Sequence, residues 1–236
     1  SFGVKKGEII GYIGPNGAGK STTIKIILGI ERDFSGQVKV FGHDILQNNI
    51  EYKRKIGYVP ETAEVYDSLT GQEYLTFIGE LYGLDYKLAD YKAKSLMELF
   101  GIDDAYYSRI ASYSKGMRQK LLIISSLLHD PELLFFGEPI NGLDANSVMI
   151  FKEIMAQLAQ QGKTIFYSSH IMDVVEKISS RIILIHNGQI AADGTFAELT
   201  EQNTKGTLEQ IFNELTGFTE HQDMARKFVS IVREMG

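Results

Sequence analysis

Gly14-Pro15-Asn16-Gly17-Ala18-Gly19-Lys20-Ser21 is the stretch on which the reading of this chain turns. Two glycines with four residues between them, then Lys and Ser, are the spacing of a phosphate-binding loop. A polyphosphate needs several N–H donors converging on one concavity, and glycine lets the backbone fold that tightly with no Cβ in the way. On this reading Lys20 reaches the outer phosphates as a point charge and the Ser21 hydroxyl sits on Mg²⁺. The helix that opens at Ser21 and Thr22 aims its positive end at the same anion. An ordinary glycine-rich turn is the plain alternative, but such a turn need not end in Lys-Ser.

The flanks suit the loop. Glu8 to Ile13 is a short apolar run expected to form a buried strand leading into it, and Ser21 to Leu28 follows as a helix with Gly29 placed to end it. Strand, loop and helix are the context this motif requires. Upstream, Ser1-Phe2-Gly3-Val4 alternates like the second half of a strand, so the sequence is expected to begin inside an element.

Composition narrows the class. The 236 residues suffice for a full core, and 24 Lys plus Arg against 30 Asp plus Glu leave a formal charge of −6, which argues against nucleic acid as a partner. With no cysteine there is no disulfide framework and no thiolate site, as suits a reducing compartment. No apolar run approaches the length of a membrane span, and the first residues lack a signal-peptide layout.

Beyond the loop helix, Gln37 to Phe41 alternates as a strand, with Gly42-His43-Asp44 turning out of it, and Ile56 to Val59 is a further strand stopped by Pro60. From Glu61 to about Ser112 the pattern becomes helical. Thr70 and Glu73 form a capping-box pair, a second helix runs from Leu88 to Phe100 with Gly101 at its end, and Ser114 opens a third. After Pro131 strands and helices alternate: Leu133 to Phe136, Asp144 to Gln161, Thr164 to Ser168, Ile171 to Ile178. Asn187-Gly188 is a hairpin turn between Arg181–Ile185 and Gln189–Ala192, and Thr195 with Glu198 is another capping box. Helical pattern fills the tail, where Met224, Phe228, Ile231 and Val232 share one face and are expected to cover a core edge. Alternating β and α around a phosphate loop means a mostly parallel sheet flanked by helices.

Phe136-Gly137-Glu138-Pro139 places a carboxylate just past a buried strand, where open parallel sheets bind ligands. Glu138 is the candidate general base, taking a proton from water as it attacks a γ-phosphate; a solvated loop glutamate is the bland alternative. The nearby run Asn141-Gly142-Leu143-Asp144 shifts the weighing. In order, the chain resembles the nucleotide-binding subunit of an ABC transporter over Val4 to about Leu199. Gly14 to Ser21 matches the Walker A loop. Tyr113-Ser114-Lys115-Gly116-Met117 stands at the Leu-Ser-Gly-Gly-Gln signature. Leu133 to Pro139 matches Walker B, Gly142-Leu143-Asp144 the D-loop, and Ser168-Ser169-His170 the switch-histidine loop. Each motif after the first is weak alone; the ordered set is highly specific.

The resemblance implies a phosphate-loop cassette fold: a mostly parallel sheet with an antiparallel β part and a helical subdomain. One domain is expected, with residues 1–60 and 131–199 as the α/β lobe, 61–130 as the helical subdomain and 200–236 as a helical extension. It implies ATP and Mg²⁺ held by Gly14, Pro15, Asn16, Gly17, Ala18, Gly19, Lys20, Ser21 and Thr22, with Glu138 and His170 catalytic. It also implies a homo- or heterodimer in which Ser114 and Gly116 face the partner's γ-phosphate and Asp144 lies at the seam. The partner beyond the dimer is a transmembrane permease, and the place is the cytoplasmic face of the membrane. Pro60 to Tyr66, then Leu69-Thr70, resembles the exporter-type branch.

The sequence departs from the family at three places. Gly137 stands where Walker B has Asp, which puts Mg²⁺ retention and turnover in question. Glu61 stands where a Gln often comes after the strand, and its carboxylate is expected to reach Mg²⁺ and partly offset the missing Asp. Lys115 and Met117 replace Gly and Gln of the signature. The aromatic that stacks on adenine is expected upstream of Ser1, Phe2 being too near the loop. Two alternatives stay open: a hydrolysis-impaired nucleotide-binding regulator, for which Gly137 speaks, and a soluble ABC-type ATPase. Against the latter stand the lone phosphate loop and the acidic balance; a GTPase or small-molecule kinase fits neither the motif order nor the lack of an Asn-Lys-x-Asp motif.

Overall fold

A computed structural model describes residues 1–47, 50–62, 64–203, 206–217 and 221–233. The stretch Pro60 to Tyr66 includes residue 63, and the tail includes 204–205, 218–220 and 234–236, all outside the described residues. In chain order the elements are β1 (Ile9–Ile13), α1 (Lys20–Ile27), β2 (Lys39–Val40), β3 (His43–Asp44) and β4 (Ile56–Val59), then α2 (Gly71–Leu81), α3 (Tyr86–Leu99) and α4 (Lys115–Leu127). After them come β5 (Leu133–Gly137), α5 (Ala145–Gln160), β6 (Thr164–Ser168), α6 (Met172–Ile178), β7 (Arg181–His186), β8 (Gln189–Gly194), α7 (Phe196–Gln202), α8 (Leu208–Thr216) and α9 (His221–Arg233).

Six strands form the main sheet in the order β4-β5-β6-β1-β7-β8, all parallel except the edge strand β8. The buried strands read as continuous apolar runs because both faces of the sheet are covered. Period-two alternation splits each strand between two cores. Ile9, Ile13, Leu134, Phe136, Ile165, Tyr167, Ile182 and Leu184 point to one; Ile10, Tyr12, Leu133, Phe135, Phe166, Ile183 and Ile185 point to the other. The first cluster continues through Leu75, Met97, Leu121 and Ile124, so α2, α3 and α4 share its packing.

The sequence-encoded caps are in place. Thr70 accepts from the Glu73 amide while the Glu73 carboxylate accepts from the Thr70 amide, and Thr195 with Glu198 repeats the arrangement. Asn187 and Gly188, at φ of 50° and 75°, make the β7–β8 hairpin turn.

Two expectations are corrected. The strand over Gln37 to Phe41 shrinks to Lys39–Val40, and His43–Asp44 is its antiparallel partner rather than a turn out of it. Phe41 and Gly42 both take positive φ, 51° and 81°, so the chain reverses directly after Val40 and the strand cannot run on. In the tail, α8 does cover a core edge through buried Leu208 and Ile211, but Met224, Phe228, Ile231 and Val232 of α9 stay exposed. Leu199, Leu208 and Ile211 pack into the core there, and the apolar stripe of α9 is not part of it.

Candidate functional site

Parallel strands present their carboxyl ends at one edge of the sheet, and that topology assembles the site. The register pairs Gly11 with Tyr167, Val59 with Phe136 and Gly137 with Ser168, so the segments leaving β1, β4, β5 and β6 emerge side by side. Those segments carry, respectively, the phosphate loop, Glu61, Glu138 and His170.

The loop closes tightly. Gly17 and Gly19 take φ of 78° and 106°, a left-handed conformation that disfavours any Cβ, and Gly19 is the N-cap of α1. The Ala18 amide donates to the Pro15 carbonyl at 3.1 Å, and the Ala18 carbonyl accepts from the Gly188 amide at 3.0 Å, which ties the loop to the β7–β8 hairpin. Lys20 is 8% exposed, and its ammonium donates to the carbonyls of Gly14 at 2.7 Å and Pro15 at 3.2 Å. Burial pulls its pKa down; the Glu61 and Glu138 carboxylates pull the other way. Asn16, Ser21 and Thr22 are exposed at the rim.

At that rim the Ser21 hydroxyl donates to Glu61 Oε1 at 3.3 Å. A hydroxyl and a carboxylate in contact offer the hard oxygens that Mg²⁺ takes alongside phosphate and water. Among the described residues no group of three or more His, Cys, Asp or Glu side chains is placed to hold a metal, so these oxygens alone do not make an all-protein cage.

Glu138 sits one residue past β5 with φ of 46°, uncommon for a residue with a side chain, and its amide donates to the Ser168 carbonyl at 2.9 Å. A strained backbone at the end of a buried strand points to a side chain held for use. Its carboxylate is approached from β6: Ser169 Oγ donates to Oε2 at 3.3 Å, and His170 Nε2 lies 3.6 Å from Oε1. Burial raises the Glu138 pKa, opposed by His170 and by the hydrogen bond from Ser169. Ser169 is the partner that motif reading passed over. Its signal was available, since the residue after the last buried position of a strand lies beside the neighbouring strand's end.

Ser114 and Gly116 belong to a different place. Ser114 caps α4, its hydroxyl accepting from the Met117 amide at 3.2 Å. Among the described residues no hydrogen bond or ion pair joins this helix end to the phosphate loop of the same chain; its contacts run instead to the segment after Glu138 and, through Arg118, to Asp67. Lys115 Nζ donates to Asn141 Oδ1 at 3.1 Å and Lys120 Nζ pairs with Asp144 Oδ2 at 3.3 Å. Asp144 is the N-cap of α5, and the Ser147 hydroxyl and amide, with Lys120, hold its carboxyl well below the usual range. Phe2 packs against Tyr12 and Phe166, with ring centroids 6.2 and 6.4 Å away, so it is part of an aromatic cluster and not free to stack on a base.

A family model described as "ABC transporter" matches residues 1–141. The chain is 38% identical over 214 residues to the ABC transporter ATP-binding protein NatA of Bacillus subtilis (strain 168), covering 90% of this chain and 87% of that protein. It is 39% identical over 211 residues to the linearmycin resistance ATP-binding protein LnrL of the same strain, covering 89% of this chain and 68% of that one. A solved structure of an ATP-binding subunit of an ABC transporter matches with a TM-score of 0.85 and 33% identity, over 91% of this chain and 90% of that chain.

Proposed function

This chain belongs to the ABC transporter family as one of its ATP-binding subunits, and on that premise we propose that it hydrolyses ATP to power export through a separate membrane subunit. The single observation that carries the mechanism is the meeting of Lys20, Ser21, Glu61 and Glu138 at one edge of the sheet, on three separately coded segments.

The triphosphate lies in the cradle of residues 14–22, and the Lys20 ammonium exchanges the Gly14 and Pro15 carbonyls for the outer phosphate oxygens. Ser21 and Glu61 would hold Mg²⁺, which when bound would shield the charge of the terminal phosphates. Glu138 takes the proton from the attacking water, and its raised pKa brings it closer to neutral pH, where a general base works best. Ser169 fixes one carboxylate oxygen, while His170 on the other side contacts the γ-phosphate and orients the water.

A second copy completes the site. The amide-rich end of α4, with Ser114 and Gly116, faces the γ-phosphate bound by the partner subunit, and Asp144 lies at the seam. ATP then joins the dimer and hydrolysis releases it, which is a two-state element biased by ligand. The lobe of residues 1–60 and 131–199 holds the nucleotide, the 61–130 helices receive the permease, and 200–236 form an extension. Export is supported by the Pro60 to Tyr66 segment and by the resistance role in the name of one relative. No helix among the described residues is long and apolar enough to cross a membrane, consistent with peripheral attachment to a permease at the cytoplasmic face.

Gly137 favours one second reading, a nucleotide-binding regulator that turns over poorly. Steady-state phosphate release separates the two. The leading reading is tested by light scattering on the Glu138→Gln variant: ATP with Mg²⁺ converts monomer to dimer, and a monomer that persists at saturating ATP overturns it. Co-purification of a membrane subunit from the native host tests the partner.

A further inference from the structure

Gly137 closes β5 fully buried, and its surroundings explain why no side chain stands there. A Cβ built on its backbone falls 2.9 Å from the Glu61 amide nitrogen, 3.0 Å from Glu61 Cγ and 3.2 Å from the Pro60 carbonyl carbon. Two of those three atoms are backbone and cannot rotate away. The φ of Gly137 is not in the left-handed region, so what the position requires is space, not conformational freedom. The chain leaving β4 therefore crosses the spot where a side chain at 137 would begin. The same crossing delivers Glu61: with Cγ lying over Gly137, its carboxylate reaches the Ser21 hydroxyl at 3.3 Å.

We propose that Gly137 is a positioning residue whose missing side chain opens the path by which Glu61 brings a carboxylate to Ser21, taking over from β4 the task that an aspartate at the end of β5 would perform. The inference rests on the nucleotide-binding reading above and deepens it. Gly137 and Glu61 form an exchanged pair. An aspartate introduced at 137 alone does not repair the site: it displaces Glu61 and adds a carboxylate where Glu61 and Glu138 already face a single ammonium, Lys20.

The test is the affinity for the non-hydrolysed analogue AMPPNP, measured by calorimetry with Mg²⁺ and again with EDTA, the ratio reporting the metal's contribution. Glu61→Ala lowers that ratio about tenfold or more, the scale on which metal sites respond to lost supporting groups. Gly137→Ala and Gly137→Asp lower it comparably, while affinity in EDTA stays near wild type. Gly137→Asp combined with Glu61→Ala keeps the backbone contacts with the Glu61 amide nitrogen and the Pro60 carbonyl carbon, so it restores nothing. Its ratio falls no further than that of Glu61→Ala alone, because both changes act on one carboxylate. Thermal melts without nucleotide check folding; exposed Glu61 keeps the test usable should Gly137→Ala not fold. A lone Gly137→Asp that raises or preserves the ratio overturns the proposal, as does a double variant in which the two single losses multiply, since Gly137 then acts independently of Glu61. Nucleotide bound in EDTA with no Mg²⁺ effect in any variant sinks this pairing alone. No nucleotide binding by the unaltered chain sinks the underlying reading with it.

Discussion

His170 Nε2 stands 3.6 Å from Glu138 Oε1, and the adjacent Ser169 hydroxyl holds the other oxygen of the same carboxylate. Glu138 is thus gripped from β6 on both oxygens while its own backbone is strained, the arrangement expected of a base that must not wander. Removing the carboxylate with its shape kept, Glu138→Gln, lowers kcat for phosphate release by about 10²- to 10⁴-fold, the usual share of general-base catalysis. Nucleotide affinity changes far less, because the cradle is untouched.

The raised pKa of Glu138 makes an acid limb. Burial disfavours the ionised carboxylate, so the active base form disappears on acidification at a pH above the ordinary 4.5. A kcat/KM profile of the unaltered chain, which reports groups of the free subunit, falls on the acid side from there; the residual activity of Glu138→Gln shows no such limb. A limb unchanged in the variant assigns the titration to another group.

Stability runs the opposite way with pH. Because folding raises this pKa, the ionised carboxylate costs stability above the folded pKa and costs nothing below the unfolded one. Glu138→Gln therefore has the higher Tm at pH 7, and the gap closes as pH falls toward 4.5. A Tm difference independent of pH sinks this explanation.

Lys20 is buried and, among the described residues, its ammonium donates to the Gly14 and Pro15 carbonyls of the cradle, so it is available to exchange them for phosphate. Lys20→Ala weakens ATP binding by about 10- to 150-fold, the worth of one or two charge-assisted hydrogen bonds. Lys20→Arg does not rescue it, since a planar fork does not fit a pocket shaped for a compact ammonium. Calorimetric titration with ATP checks both.

The sequence made the site legible wherever chemistry depends on residue type at fixed spacing. Lys20 with Ser21, Glu138 and His170 sit on three separate segments, and knowing that the strands run parallel was enough to bring their ends together. Capping boxes at Thr70 and Thr195 were equally visible, because both partners lie three residues apart. Less legible was anything set by distance between segments. Pattern alone extends β2 through Phe41, whose positive φ is a tertiary fact. Gly137 reads as a loss until the crossing of Glu61 above it is seen. The α9 stripe reads as core, yet Met224, Phe228, Ile231 and Val232 stay exposed, because amphipathic spacing alone does not say which surface a helix meets.

Ser114 has two separable tasks, and paired substitutions divide them. As the N-cap of α4 it satisfies the Met117 amide; in the proposed dimer it would also present a hydroxyl to the partner's γ-phosphate. Ser114→Ala loses both, costing about 1 kcal/mol of stability and lowering Tm by about 2–4 °C in a domain of this size. Ser114→Asp keeps the cap, since Asp serves there as well as Ser, but sets a carboxylate against the phosphate of the partner's nucleotide. Melting temperature then ranks the unaltered chain level with Ser114→Asp and above Ser114→Ala. ATP-driven dimerisation, followed by light scattering in the Glu138→Gln background, ranks them differently: Ser114→Ala weakened, Ser114→Asp weakest of all. Should dimerisation follow stability across the pair, with Ser114→Asp dimerising normally, Ser114 is a helix cap alone and the γ-phosphate contact across two copies is wrong.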